Sequence, residues 1–175
     1  MNFDLTEEQQ ALLDLSNQIF EGSSPVDRVE EIETTEERFD SDLWKELANA
    51  NLLGVAIPEE YGGLGFGVFE LALILEQQGR TVAPVPLLPT LVMGALPIVE
   101  FGTAEQQSRL LPAIASGECI VTGGFQEWGA NNPLDTSLEA KCTDGQWVLH
   151  GTKPAIPVAH LADYILVPAK TGPED

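Results

Sequence analysis

Basic residues are scarce in this chain: 8 lysines and arginines stand against 28 aspartates and glutamates, a formal charge of -20 at neutral pH. A surface of that sign repels phosphate backbones and anionic lipid headgroups, which argues against nucleic acid and membranes as partners. Cysteine is equally sparse. Cys119 and Cys142 are too few and too widely spaced for a disulfide framework or a zinc site, so both read as structural thiols. His150 and His160 have no cysteine or carboxylate at ligand spacing and read as core or surface residues, with no metal site expected. Long apolar runs are lacking too: the stretch 87–101 is interrupted by Pro89, Gly94 and Pro97 and carries Glu100, so no membrane span is expected. The opening Met1-Asn2-Phe3-Asp4-Leu5 has no basic region ahead of an apolar core, which gives the expectation of no secretory signal and a cytoplasmic location.

What is present is a chain with 43% hydrophobic residues in periodic blocks, long enough at 175 residues for one small domain and part of a second. Thr6-Glu7-Glu8-Gln9 has the form of a capping box and predicts a helix whose apolar stripe runs through Ala11, Leu12, Leu15 and Ile19. The acidic stretch 30–37 reads as a solvated helix face or loop. Asp40 or Ser41 can cap a helix carrying Leu43, Trp44, Leu47 and Ala50 that stops near Gly54, where a positive φ costs little. The glycine-rich connector 58–67 leads into 68–76, apolar nearly all round and expected to be a central buried helix ending at Gly79. Gly63-Leu64-Gly65-Phe66-Gly67 lacks the third glycine of a dinucleotide fingerprint and reads as a structural turn. Pro84, Pro86 and Pro89 break and restart the chain before a helix to Phe101. Thr103-Ala104-Glu105-Gln106 repeats the capping box and opens a further helix through Leu110, Leu111 and Ile114.

Past Gly117 the texture changes to short runs of Val, Ile, Trp and Tyr punctuated by Gly, Pro, Asn and Asp. Strands are expected near 119–125, 136–142, 146–149, 152–157 and 163–168, with Asp144-Gly145 as a hairpin turn. The fold class is therefore α+β: an all-helical amino-terminal domain, 1–117, followed by a partial β domain, 118–175, too short to close with its edges covered.

Leu5-Thr6-Glu7-Glu8-Gln9, Pro58-Glu59-Glu60-Tyr61-Gly62-Gly63, Ser116-Gly117-Glu118, Asp144-Gly145, Gly151-x-Lys153 and Ala162-Asp163-Tyr164 occur in an order and at spacings that resemble acyl-CoA dehydrogenases. The likeness spans essentially the whole chain. It implies a helical amino-terminal domain, a middle β domain of antiparallel type, incomplete here, and a carboxy-terminal helical bundle that lies outside these residues. It also implies FAD as cofactor in the complete assembly and an acyl-CoA thioester as substrate. In that family a glutamate takes a proton next to the thioester carbonyl while flavin N5 takes a hydride from the β carbon. That glutamate belongs to the carboxy-terminal bundle, so no residue of this chain is assigned a catalytic role.

Two departures from the family pattern bear on the cofactor. The flavin loop usually reads Thr-Glu-Pro-x-Ala-Gly-Ser-Asp; here Phe125 precedes Gln126-Glu127-Trp128-Gly129-Ala130-Asn131-Asn132-Pro133, which keeps the Glu and the Ala but loses both hydroxyls. Gln126 and Asn132 can still donate hydrogen bonds. After the family's lysine, here Lys153, a Trp-x-Thr set packs on and bonds the ring; this chain has Ala155 and Pro157 there. The candidate cofactor-binding positions are thus Phe125, Gln126, Asn132, Ala155 and Pro157. Glu127 is retained in a family where it is structural, and it is not read as catalytic. Trp128 either fills vacated flavin space or covers the β-domain edge; Trp44, Trp147 and Tyr164 read as packing residues.

A weakened flavin site resembles one subunit of the heteromeric acyl-CoA dehydrogenases of steroid side-chain breakdown, heterotetramers in which unlike chains alternate. The resemblance implies a dehydrogenase-like partner subunit and α,β-dehydrogenation of acyl-CoA thioesters by the complex, with this chain inactive by itself. The other reading is a non-catalytic structural or regulatory subunit that never carries flavin.

Overall fold

The computed structural model describes residues 4–129, 132 and 135–172. Six α-helices precede a small β part among them. Helix α1 (Glu7–Ser23) starts at the expected capping box: Gln9 N–H donates to Thr6 Oγ1 at 3.2 Å, and Thr6 N–H donates to Gln9 Oε1 at 2.9 Å. Its buried stripe is Leu12, Ser16, Ile19 and Phe20. Ala11 and Leu15 are exposed, so the expected stripe is rotated by one residue. Ser16 enters the core because its hydroxyl is satisfied locally by the Leu12 carbonyl at 2.7 Å.

Helix α2 (Val26–Glu33) buries only Ile32 and keeps the acidic residues in solvent. Helix α3 (Ser41–Asn49) is capped by Asp40, whose Oδ1 accepts from the Asp42 and Leu43 amides, both at 3.1 Å. The same carboxylate takes the Arg28 guanidinium of α2 in a bidentate pair at 2.8 and 3.1 Å. The residue that ends α3 in the left-handed region is Asn51, φ 56°, and not Gly54. Asparagine tolerates that conformation. Gly54 answers a packing need instead: a Cβ there would lie 2.6 Å from Asn51 Oδ1 and 3.1 Å from Gly63 Cα.

The connector folds back on residues 54–57 and uses its amides internally. Leu64, Gly65 and Phe66 donate to the carbonyls of Gly54, Ile57 and Val55, each at 2.9 Å. Helix α4 (Val68–Thr81) packs on α1, but it passes through Gly79 and ends at Val82, φ 53°. It is not buried all round: Val68 and Phe69 are more than half exposed, and its inner face is Glu70, Leu71, Ile74 and Gln77. Gln9 of α1 donates to Glu70 Oε1 at 2.7 Å, which joins the amino ends of the two helices.

A π-helical segment, Leu88–Ala95, runs directly into α5 (Leu96–Phe101), and α6 (Ala104–Ala115) opens at the second capping box. Gly94 of the π segment lies under the first strand, where a Cβ would come 2.9 Å from the Val121 carbonyl oxygen. The Thr90 hydroxyl in the same segment is fully buried and has no hydrogen-bond partner. Thr90→Val is expected to leave stability unchanged or raise it by about 1 kcal/mol, since it removes an unsatisfied hydroxyl at nearly constant shape. A lowered denaturation midpoint would show that the hydroxyl finds a partner.

Strand β1 (Val121–Gly123) pairs in parallel with β4 (Tyr164–Leu166), and β2 (Glu139–Thr143) pairs antiparallel with β3 (Gln146–His150). Asp144 and Gly145 turn the hairpin with φ of 52° and 79°, the conformation a two-residue turn requires. The strand expected at 152–157 does not form. Ala155 and Val158 take φ of 52° and 46°, and Pro154 and Pro157 have no amide to donate to a ladder. Trp44 packs in the core and donates to the Gly117 carbonyl at 3.0 Å. Trp147 and Tyr164, expected to pack, are 59% and 44% exposed because every residue of β3 and the first two of β4 face solvent. One core runs continuously from Leu12 through α6 to Val121. No helix among the described residues is long and apolar enough to cross a membrane.

Candidate functional site

Strand β1 rests on the helical core and delivers the loop that follows it. Gly123 and Gly124 end the strand in a crowded place: a Cβ on Gly123 would lie 2.4 Å from the Phe125 ring, and one on Gly124 would press on Ile156 Cδ1 at 3.1 Å. Phe125 is half-buried, Gln126 and Asn132 are exposed, and Ala130 lies outside the described residues. Trp128 is 86% exposed, so within this chain its indole neither fills a cavity nor covers the β-domain edge.

The segment 151–158 is brought against this loop by three contacts. Thr122 of β1 donates to the Pro157 carbonyl at 2.8 Å, Ile156 packs on Gly124, and Lys153 forms an ion pair with Glu127. Phe125, Gln126, Ala155 and Pro157 therefore lie on two adjoining segments. Ala155 is exposed and Pro157 half-buried.

The Glu127–Lys153 pair is the most buried charge pair among the described residues, with side chains 7% and 4% exposed. Thr136 Oγ1 accepts from Lys153 Nζ at 2.9 Å and donates to Glu127 Oε1 at 2.5 Å, with the Pro168 carbonyl 3.0 Å away as the other acceptor. Glu127 Oε2 accepts the Ser137 amide at 2.7 Å and the Ser137 hydroxyl. The lysine ammonium first, then the Ser137 and Thr136 hydroxyls, hold the Glu127 carboxyl far below the usual carboxylate range. Glu127 and Lys153 were legible as single positions, whereas Thr136 and Ser137 carried no signal. A lone lysine in an apolar segment of so acidic a chain is the feature that points to a buried partner.

The Asp40 and Glu70 carboxyls also sit low, Asp40 mainly through Arg28 and Glu70 mainly through Gln9. A carboxyl depressed in the fold is protonated first in the unfolded chain. Its contribution is full above the ordinary values of 3.8 and 4.5 and is lost as pH falls below them. Glu127→Gln is therefore expected to flatten the fall of the thermal midpoint from roughly pH 5 downward, where such carboxylates titrate. An unchanged slope would place the acid sensitivity on Asp40 and Glu70.

Residues 155 and 157 supply neither an aromatic face nor a side-chain donor, so this segment does not fit the ring end of a flavin as the family pattern implies. Gln126 and Asn132 are exposed and carry side-chain amides.

The family model for the acyl-CoA dehydrogenase N-terminal domain matches residues 6–118. Among solved structures, the Tcur3481-Tcur3483 steroid ACAD G363A variant superposes with a TM-score of 0.88 at 44% identity, covering 94% of this chain and 45% of that one. The ChsE4-ChsE5 complex from Mycobacterium tuberculosis gives 0.88 at 34% identity, over 98% of this chain and 46% of that one. An acyl-CoA dehydrogenase complexed with FAD from Bacillus anthracis gives 0.85 at 30% identity, over 96% and 29%. The chain spans about half the length of the curated relatives it matches.

Proposed function

From the premise that this chain belongs to the acyl-CoA dehydrogenase family, we propose that the protein is one subunit of a heteromeric, flavin-dependent dehydrogenase that forms α,β-unsaturated acyl-CoA thioesters. The observation that carries this reading is the pair Ala155 and Pro157, which leaves the 151–158 segment without ring contacts while the rest of the fold is kept. A subunit with such a half-site contributes a wall and an interface and relies on its partner for a working flavin. The similarity to the two heteromeric assemblies supports a dehydrogenase-like partner chain, and the steroid ACAD among them makes steroid side-chain CoA esters the substrate class to test first. A partner less acidic than this chain, whose charge is -20, would also ease the approach of an anionic CoA ester.

The test is visible flavin absorbance of the full-length subunit, purified alone and co-expressed with a dehydrogenase-like partner. Flavin and acyl-CoA oxidation in the co-purified complex only are the expected result. Stoichiometric flavin in the lone subunit would overturn the degenerate half-site. A complex without flavin would favour a purely structural subunit.

A further inference from the structure

The Glu127–Lys153 pair is buried, lies outside every helix and strand, and joins two loops 26 residues apart in sequence. Glu127 sits between exposed Gln126 and exposed Trp128, and Lys153 lies two residues before Ala155. The carboxylate collects donors from three residues, Lys153, Thr136 and Ser137, and both of its oxygens are engaged. A buried ion pair adds little net stability over an apolar pair of the same shape, but it tolerates few alternative geometries. Among the described residues the other ties are modest: β1 and β4 pair over three residues, the Gly124 amide donates to the Leu166 carbonyl at 2.8 Å, Thr122 bonds the Pro157 carbonyl and Ile156 packs on Gly124.

We infer that Glu127 and Lys153 form a positioning clasp, which fixes the 125–129 loop against the 151–157 segment and so sets the shape of the site wall. The inference rests on the reading of these segments as a cofactor-side wall. Glu127 and Lys153 act through the residues beside them, Gln126 and Trp128 on one segment and Ala155 on the other.

The test uses the full-length protein with Trp147 and any tryptophan beyond residue 175 replaced by phenylalanine, so that Trp128 reports on the loop by nanosecond fluorescence anisotropy while buried Trp44 stays constant. Glu127→Gln and Lys153→Met each leave one partner without its counter-charge, and the double variant removes both charges. In the double variant the thermal midpoint is expected to recover toward the natural value. The fast depolarisation of Trp128 is expected to stay roughly doubled or more. Flavin retained by the complex with the partner chain is expected to fall roughly tenfold, the scale of losing an outer-shell support. A merely structural pair would move the midpoint and leave the loop rigid, so a double variant with Trp128 as ordered as in the natural protein overturns the clasp. A freed loop with undiminished flavin leaves the clasp standing and sinks the reading of this loop as a cofactor wall.

Discussion

Full-length protein carrying Ala155→Trp together with Pro157→Thr is expected to bind flavin roughly tenfold or more tightly than the natural sequence. An aromatic stack on the ring contributes about 0.5 to 1.5 kcal/mol. A hydrogen bond to a polarised group contributes about 1.5 to 3 kcal/mol. Ala155 has a φ of 52°, and its own Cβ already bears the left-handed cost of about 1 to 2 kcal/mol, so tryptophan adds little to it. At mid-range the gains together exceed the 1.4 kcal/mol that corresponds to about tenfold. The measurement is a flavin titration of the lone subunit, followed by quenching of flavin fluorescence. Pro157→Thr alone leaves residue 155 unchanged and keeps the main-chain carbonyl that Thr122 bonds, so it should recover a large part of the gain without strain. No gain from either variant, with the fold intact, would place the lost affinity at Gln126 and Asn132 instead.

The largest expected loss of stability comes from one methyl group. Gly63→Ala would place a Cβ 2.0 Å from the Ile57 carbonyl oxygen, 2.5 Å from its carbon and 2.6 Å from the Gly54 carbonyl oxygen. All three are backbone atoms pinned by the hydrogen bonds of the connector, so relief requires the turn to open. A destabilisation of about 3 kcal/mol or more is expected, a large share of a domain's usual margin of roughly 5 to 15 kcal/mol. Its neighbour is the control. Gly62 has a φ of 83° and no atom within 4 Å of the point where an alanine methyl would lie, so Gly62→Ala should cost only the conformational strain of about 1 to 2 kcal/mol. Urea denaturation of the two variants separates crowding from strain; equal losses would mean that the turn relaxes around residue 63.

The fold was most legible where the deciding interaction is local. The boxes at Thr6 and Thr103 close within three residues, and Asp144-Gly145 needs only its own two dihedrals. The phase of α1 was harder to read, since Leu15 looks like a core residue and Ser16 does not. The reversal follows from the Leu12 carbonyl accepting the Ser16 hydroxyl, together with the packing of α4 on α1. The exposure of Val68 and Phe69 was hidden for a related reason: an all-apolar helix does not reveal which of its faces has a neighbour.

The sequence by itself determined the family, the succession of helices and then strands, and the empty chemistry at Ala155 and Pro157, because residue types and short spacings carry that information. Tertiary structure decided that 152–157 is irregular and not a strand. It also decided that Lys153 reaches Glu127 and that Thr136 and Ser137 complete the pair. Those contacts join residues 9 to 26 positions apart in loops with no periodicity, and only the packing of β1 on the helical core and of β4 beside it brings them within hydrogen-bonding distance.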